Sequence, residues 1–543
     1  MSFWLQHLPV FPIVLPLLAS ALLLLLKDGR RRTRLALSYV SVLGQLVAAF
    51  ALLYLTTGGY AEQWPHNIAV YLLGDWLAPF GILLVADRLA AIMLVLSAIL
   101  ACAALPYAAV RWERAGVHFL PLYQLLFMGL NGAFLTGDLF NLFVFFEILL
   151  AASYGLMLHG SGEQRVSAGL HYIATNLVAS FLLLIGIAMI YGVSGTLNMA
   201  ELASRAGELS GGNRRLFEAA AAVLGVAFLI KAAAWPLNYW LPSTYGSACA
   251  PVAAVFAIMT KVGIYALLRM GALLLPSGAP AAFGGEWMYG VGLATMLFGT
   301  IGIVATQQAE RLIGYCVILS SGTLLAALGM PGVTLTAPAL FYLINSVLAI
   351  AAFYLLIEMV ERGRSFGADV LAVSLEAFEL DEPQASDYSE DTVGVAIPAA
   401  MAFLGMSFVC CALLVIGLPP LSGFVAKFTI VSAAVQASTT GASTLAAWSL
   451  VACVLVSGLA GIIALTRTGI RLFWGSEDIT VPRLRISEAA PVGILLLLCL
   501  ALTFWAGPVM AFLEDTAQLL DQPQTYIDAV SGTPAIRQLG GTP

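Results

Sequence analysis

Lysines inside apolar segments are the first feature that suggests chemistry in this 543-residue sequence. Of its four lysines, only Lys27 lies in a charged stretch, whereas Lys231, Lys261 and Lys427 lie in long apolar runs. An ionised side chain at the centre of a bilayer costs at least roughly 2.5–3.5 kcal/mol, so it persists only where it is paired, hydrated or neutralised. Lysine, unlike arginine, can release its proton when it is buried. The three lysines therefore predict a proton relay.

A proline follows the first of these lysines by five residues. Because proline lacks a backbone donor and disrupts a helix, Pro236 predicts a helix break just beyond Lys231, with polar backbone beside the ammonium group. Such a break favours an ion pathway. The alternative is that Lys231 lies near a helix end and extends its side chain to the membrane interface.

Glu147 is a carboxylate inside another apolar run. It lies nine residues into the segment that follows Asp138, which is roughly 13–14 Å along a helix. Glu147 and Lys231 are predicted partners, because a proton gained by one changes the electrostatic surroundings of the other. The alternative is a static buried ion pair, although such pairs are only weakly favoured over apolar packing.

A second lysine also lies beside prolines. Pro419 and Pro420 come shortly before Lys427, five apolar segments after the break at Pro236. An odd number of spans reverses the chain direction in the membrane, so the two halves are predicted to be inverted five-helix repeats with discontinuous helices 7 and 12. Lys261 is expected near the middle of the eighth span, between the two breaks.

Composition indicates a polytopic helical membrane protein. The sequence is 61% hydrophobic and 10% charged, against about 25% charged residues in soluble proteins. Segments long enough to span a bilayer lie near 9–26, 36–57, 82–109, 118–136, 139–158, 168–192, 216–235, 249–275, 286–306, 312–330, 335–358, 396–437, 445–466 and 489–513. The fold class is therefore all-α with about fourteen transmembrane helices.

The predicted domains follow from these segments. They are three N-terminal helices (1–115), a first repeat with spans 4–8 (116–280), a second repeat with spans 9–13 and an acidic, polar loop at 362–394 (281–470), and a last helix with a polar tail (471–543). The basic cluster from Lys27 to Arg34 follows the first span, and arginines recur in alternate loops. The positive-inside rule therefore places both termini outside.

Several polar residues could support a water chain between the charged groups. These are Asn238, Asn345, Thr260 and Ser320. Glu310, Glu358 and Glu361 lie near predicted inner span ends, where anchoring at the interface is expected. The sequence contains no nucleotide-binding or cysteine-cluster motif, so no cofactor is expected, and no metal site is identified. It also contains no basic face for nucleic acid.

With these residues in hand, the chain resembles the antiporter-like subunits shared by respiratory complex I and the multisubunit Mrp-type cation/proton antiporters. The resemblance extends over about residues 1–515. It is carried by the motifs at 140–147 (FNLFVFFE), 230–242 (IKAAAWPLNYWLP), 250–254 (APVAA), 311–320 (RLIGYCVILS) and 417–427 (GLPPLSGFVAK). Within the family, the stretch 260–269 (TKVGIYALLR) is most similar to the D subunit of the Mrp-type antiporters, the Pha-type potassium/proton complexes included.

The resemblance implies roles for the charged residues. By matching position, Glu147 resembles the family's fifth-span glutamate, and Lys231, Lys261 and Lys427 its lysines of the seventh, eighth and twelfth spans. It also implies a hydrated polar axis at the membrane midplane, a hetero-oligomeric complex, Na⁺ or K⁺ as the exchanged ion and a bacterial inner membrane.

The sequence departs from the family in its histidines. Asn238 and Asn345 stand where many relatives have histidine, and Ala349 stands where complex I relatives have a lysine. The second half-channel is therefore expected to conduct more through water and hydroxyl groups. The favoured function is a proton-translocating subunit of a monovalent cation/proton antiporter, without enzymatic activity. The alternatives are a proton-pumping subunit of a redox-driven complex and a scaffold subunit without transport.

Overall fold

The computed structural model describes residues 5–27, 29–59, 64–116, 118–160, 162–274, 286–378, 399–439, 443–473 and 484–534, with the backbone alone for 363–378. The first half contains α1 (Phe11–Leu25), α2 (Arg31–Tyr54), α3 (Arg88–Val110), α4 (Phe119–Leu135), α5 (Leu139–Met157), α6 (Glu163–Ser194), α7 (Met199–Ala206), α8 (Gly211–Lys231), α9 (Leu241–Ser247) and α10 (Ala250–Leu274). The second contains α11 (Glu286–Ala305), α12 (Ala309–Leu328), α13 (Thr336–Phe378), α14 (Ala399–Ile416), α15 (Ser422–Thr439), α16 (Thr444–Phe473), α17 (Ile486–Phe504), α18 (Ala506–Leu520) and α19 (Pro523–Ser531). Two strands, β1 (Ala69–Leu72) and β2 (Leu83–Ala86), form an antiparallel hairpin.

Each predicted span coincides with a helix or a pair of helices, which confirms the all-α membrane fold. Within the described residues, twelve helices are long and apolar enough to cross a membrane. The 17-residue α4 is apolar but shorter. Helices α8 and α15, which carry two of the buried lysines, are not among the twelve. The count of fourteen spans and the inverted repeats therefore stay predictions.

The third predicted span begins later than expected. Residues 83–86 form strand β2, paired with β1 in the register Val70↔Val85, and α3 begins only at Arg88, after Asp87 accepts a hydrogen bond from the backbone of Ala90 at 2.9 Å. A short, fully buried apolar run has no polar alternation, so its sequence does not distinguish a strand from the first turn of a helix. The expected helical start at residue 82 was wrong for this reason.

The predicted acidic loop is partly helical. Helix α13 continues through residues 362–378, where good helix formers such as leucine and alanine alternate with the polar residues. The expectation of a loop from residue 362 was therefore wrong for its first half, and 379–398 lie outside the described residues. The last predicted span (489–513) is two helices, α17 and α18, which meet at Trp505.

The helices differ strongly in burial. The apolar windows of α10 and α13 are 89% and 94% buried inside the protein, against 28% for α17. Helices α10 and α13 therefore form the centre of the bundle, and they carry Lys261 and Asn345. Polar residues in membrane helices face the bundle interior rather than lipid, and this arrangement places both side chains there.

Helix ends that were predicted to share a membrane face contact one another. On one face Arg31 binds Glu113 and Arg362 binds Glu488, each at 2.7 Å. On the other face Arg269 binds Asp87 at 2.6 Å. These contacts agree with the predicted grouping of these helix ends, while the alternation of all the spans and the assignment of the first face to the inside stay predictions.

Candidate functional site

Helix α8 ends at Lys231, directly before the predicted break. Ala233 adopts a left-handed backbone conformation with φ 54°, and no regular helix resumes until Leu241. The backbone N–H of Trp235, which has left the helix, donates to Thr295 Oγ1 on α11 at 2.9 Å. The predicted break near Pro236 is therefore present, and it begins one residue after the lysine.

Lys231 faces a small cavity in the bundle. Its ammonium nitrogen lies 5.7 Å from the centroid of the Phe146 ring, within the range of a cation–π contact. The cavity has a volume of ≈ 20 Å³ and is also lined by Tyr172, Asn176 and Tyr245. That volume holds about one water molecule, so the ammonium group has an aromatic wall on one side and space for hydration on the other.

Glu147 lies close to Lys231 without a direct ion pair. The carboxylate exerts an electrostatic attraction on the ammonium group. Among the ion pairs of the described residues, however, none joins the two side chains within 4.0 Å, and Glu147 Oε1 is buried without a hydrogen-bond partner in the described structure. Glu147 and Lys231 are thus close to each other, but their charged groups are not in direct contact. This geometry does not match the alternative of a static buried ion pair.

Lys261 is completely buried, with 0% of its surface exposed. Its ammonium group donates to Ser321 Oγ on α12 at 3.2 Å, and no carboxylate of the described residues pairs with it within 4.0 Å. The neighbouring hydroxyls Thr260 Oγ1 and Ser320 Oγ are buried without partners in the described part of the chain. Lys261 therefore has one neutral acceptor, and the two unsatisfied hydroxyls belong to the residue before Lys261 and the residue before its partner Ser321.

A glycine brings the first two lysine-bearing helices together. A Cβ atom at Gly263 on α10 would lie 2.6 Å from the backbone oxygen of Phe228 and 2.7 Å from the backbone nitrogen of Ala232. These atoms belong to the end of α8, beside Lys231. Only glycine permits this approach, so Gly263 sets the packing of the Lys261 helix on the first break.

Lys427 caps the second broken helix. Helix α14 ends at Ile416, and the ammonium group of Lys427, on α15, donates to the backbone oxygens of Val415 at 3.1 Å and Ile416 at 2.7 Å. Gly417 has a φ of +82°, and a Cβ atom there would lie 2.6 Å from Lys427 Cδ. Pro419 and Pro420 lie in the intervening turn, as predicted.

The two breaks share a feature that the sequence pattern did not show. Lys231 is the last residue of α8, and Lys427 reaches back to the last carbonyls of α14. Both lysines therefore lie beside the carboxyl end of an interrupted helix, where the helix dipole favours positive charge. The ammonium group of Lys427 also binds unpaired carbonyls there.

Polar contacts extend from the second break into the central helices. Ser422, at the start of α15, donates to Asn345 Oδ1 on α13 at 2.7 Å. Cys316 on α12 is close enough to Lys427 to interact with it electrostatically. Cys316 lies one helical turn before Ser320. The structure thus brings the predicted support residues Asn345 and Ser320 to the elements between Lys261 and Lys427.

Asn238 lies in the first break with its amide unsatisfied. Both Asn238 Nδ2 and Oδ1, and Trp240 Nε1 nearby in sequence, are buried without hydrogen-bond partners in the described structure. Buried polar groups nearly always have a protein or water partner, and buried water typically binds groups left in this way. Water bound to these atoms is therefore expected at the first break.

Two charged clusters were not predicted as functional. Glu358 was expected to anchor at the membrane interface, but its carboxylate points inward and accepts from Trp112 Nε1 at 2.9 Å and from the backbone N–H of Ala250 at 3.0 Å. Arg269 pairs with Asp87 in a two-bond contact at 2.6 and 2.7 Å. An arginine inside an apolar run requires a partner, and that rule could have identified the second cluster.

Comparison with known proteins places this geometry in a family. The family described as "NADH:quinone oxidoreductase/Mrp antiporter, TM" matches residues 136–455. The chain belongs to this family. The matched region contains Glu147, Lys231, Lys261 and Lys427, together with both helix breaks.

Relatives of similar length give finer detail. The chain is 51% identical to the D subunit of a probable K(+)/H(+) antiporter of Rhizobium meliloti, over 98% of its length and 99% of the relative. It is 30% identical to the D subunit of an Na(+)/H(+) antiporter of Alkalihalophilus pseudofirmus, over 97% of its length and 99% of that protein. A chain of the solved Mrp complex from Dietzia sp. superimposes with a TM-score of 0.79 at 27% identity, covering 98% of this chain and 100% of that one. The expected resemblance to the D subunit of Mrp-type antiporters is thereby confirmed.

Proposed function

We propose that this chain is the proton-translocating subunit of a multisubunit monovalent cation/proton antiporter. Two full-length relatives carry the names of cation/proton antiporter subunits, and the fold matches a chain of an Mrp complex. The chain works as a secondary transporter subunit in a bacterial inner membrane, with both termini outside and other subunits of the complex around it.

The observation that carries this proposal is the set of three amines held in the interior without a carboxylate contact. Lys231 and Lys427 lie at interrupted helix ends, and Lys261 lies between them with a single hydroxyl acceptor. An ammonium group without a carboxylate contact can release its proton to water or to a neighbouring hydroxyl more easily than a closed ion pair can. Stepwise transfer among these groups moves protons within the subunit.

Glu147 adjusts the first step of this relay. Its charge acts on Lys231 across a gap, so protonation of Glu147 weakens the attraction on the ammonium group and favours release of its proton. A closed ion pair would oppose that release, and the open geometry allows it.

The exchanged cation is Na⁺ or K⁺, the ions in the names of the relatives. Among the described residues, no group of three histidine, cysteine or carboxylate side chains could hold a metal ion. Amine-rich interiors suit protons better than metal cations, so we place the cation path at a subunit boundary or in another subunit.

The test is exchange by the whole complex in everted membrane vesicles, with Na⁺ and with K⁺. Lys231→Ala is expected to abolish proton/cation exchange while the complex assembles in normal amount. Arg214→Ala, which removes a partly exposed partner of Glu218, is the matched control and is expected to retain exchange. Full exchange by assembled Lys231→Ala complexes would contradict the relay and favour a scaffold subunit.

A further inference from the structure

A large cavity opens on the membrane face where the ends of several helices meet. Its volume is ≈ 500 Å³, which is enough for a cluster of water molecules. Its lining includes Trp112, Arg165, Tyr245, Glu310, Tyr354 and Glu358. None of these residues belongs to the relay described above, and the face is the one predicted to lie inside.

Glu358 is a carboxylate of this cavity that several hydrogen bonds hold in place. Its two oxygens accept from Trp112 Nε1, each at 2.9 Å, and Oε2 also accepts from the backbone N–H of Ala250 at the start of α10. Arg362 Nη2 lies 3.7 Å from Oε1. The N–H groups of Trp112 and Ala250 need an acceptor but not a charge, so an amide side chain would satisfy them as well. Hydrogen bonding alone therefore does not explain a titratable group at this position.

Two tyrosines connect the cavity with the lysines. Tyr354, one helical turn before Glu358, is 3% exposed, and its hydroxyl has no hydrogen-bond partner in the described residues. The Tyr354 hydroxyl is close enough to Glu310 and Cys316 to interact with them electrostatically. Cys316 interacts in the same way with Lys427. Tyr245 lines this cavity and also the small cavity of Lys231. The wall between the large cavity and the lysine sites thus contains phenol groups, which both donate and accept protons.

We propose that Glu358 is a proton-exchanging residue of this subunit, which takes up protons from water in this cavity and passes them towards the relay. The inference rests on the proposed function. A cavity water delivers a proton to the Glu358 carboxylate, and the carboxyl group passes it inward through water and the Tyr354 hydroxyl. The carboxylate is then restored, so the cycle needs no other reactant.

The first test uses two substitutions of Glu358 in vesicles that contain the whole complex. Glu358→Gln keeps the acceptor but cannot bind and release the proton, and it is expected to lower the exchange rate at least tenfold. Glu358→Asp keeps the titratable group and is expected to retain most of the rate. Glu208→Gln, an exposed carboxylate on the face predicted to lie outside, is the matched control and should match the wild type. If Glu358→Gln retains exchange and Glu358→Asp loses it, the proposal is wrong, because the side chain then acts only as a hydrogen-bond acceptor that caps a helix.

The second test measures access by water-soluble reagents. In a cysteine-free background, Ala248→Cys on the cavity wall is expected to react with a membrane-impermeant thiol reagent from the inner face, in everted vesicles but not in right-side-out ones. Ser210→Cys, an exposed residue predicted on the outer side, should show the opposite pattern. If residue 248 is not labelled from the inner face, water does not reach the cavity from that face and the proposal is wrong, whether or not the Glu358 variants assemble.

The two proposals fail in different ways. If Lys231→Ala abolishes exchange while Glu358→Gln and Glu208→Gln behave as the wild type, the relay stands and the assignment of Glu358 is wrong. If Lys231→Ala retains exchange, the proposed function is wrong. Labelling at residue 248 would then show a water-accessible cavity without a role in proton transport.

Discussion

Replacement of Lys261 by methionine separates transport from stability. The lysine is 0% exposed and makes one hydrogen bond, to Ser321 at 3.2 Å. Methionine fills a similar volume with a flexible apolar chain. If Lys261 is a relay residue, the variant should fold at least as well as the wild type and yet lose exchange.

The magnitude follows from these contacts. Removing the buried ammonium group recovers roughly 2.5–3.5 kcal/mol of insertion cost. Losing a hydrogen bond to a charged group costs about 1.5–3 kcal/mol. The difference places Lys261→Met between roughly 0.5 kcal/mol less stable and roughly 2 kcal/mol more stable than the wild type. Exchange, in contrast, should fall at least tenfold, because methionine neither binds nor releases a proton.

The assay combines two measurements on the same purified complex. Thermal unfolding followed by tryptophan fluorescence reports stability, and proton/cation exchange after reconstitution reports transport. Ser321→Ala is the matched control, because it removes the hydroxyl acceptor and leaves the amine in place. It should destabilise by about 1.5–3 kcal/mol and keep part of the exchange. A Lys261→Met complex that is markedly less stable but still exchanges would refute the reasoning and identify a structural lysine.

Two further predictions concern the packing around the relay. Gly263→Val should slow exchange and destabilise the chain by about 1–3 kcal/mol through collision with the end of α8, whereas Gly290→Ala, where a Cβ atom meets nothing within 4 Å, should be silent in the same unfolding and transport assays. Asp87→Asn should destabilise the chain by roughly 3–5 kcal/mol, because it leaves the buried Arg269 charge without its partner. Arg205→Ala, which breaks a partly exposed helical ion pair, is the control and should cost under about 1 kcal/mol in chemical unfolding. Equal effects of the two substitutions would contradict the argument from burial.

The charged residues within the helix bundle could be located from the sequence because charge inside an apolar run is conspicuous, while their role as a relay stays a prediction. Lys231, Lys261, Lys427 and Glu147 can be identified from their apolar sequence context alone, since burying a charge is costly and therefore informative. Pro236 located the first break within a few residues. The span pattern follows from hydropathy alone, because a helix must satisfy its own backbone groups in lipid.

Contacts between distant segments could not be predicted in the same way. Glu358 lies at the end of an apolar run, where an interface anchor and an inward-pointing carboxylate have the same sequence signature. Its partners Trp112 and Ala250 are 246 and 108 residues away, and no local pattern encodes that distance. The missing ion pair between Glu147 and Lys231 is a similar case, because spacing within two helices does not determine the separation of their side chains.

The position of the lysines relative to helix ends suggests why the fold uses interrupted helices. At Lys231 and Lys427, a helix carboxyl end can offset about 0.3–2 kcal/mol of the cost of a buried ammonium group. Lys261 lies within the continuous helix α10 and has only the Ser321 hydroxyl as an acceptor. In the relay that we propose, helix carboxyl ends favour positive charge at Lys231 and Lys427, and a proton that passes between them meets Lys261 without that support. A change in nearby charge, such as that of Glu147, can then determine whether the proton passes.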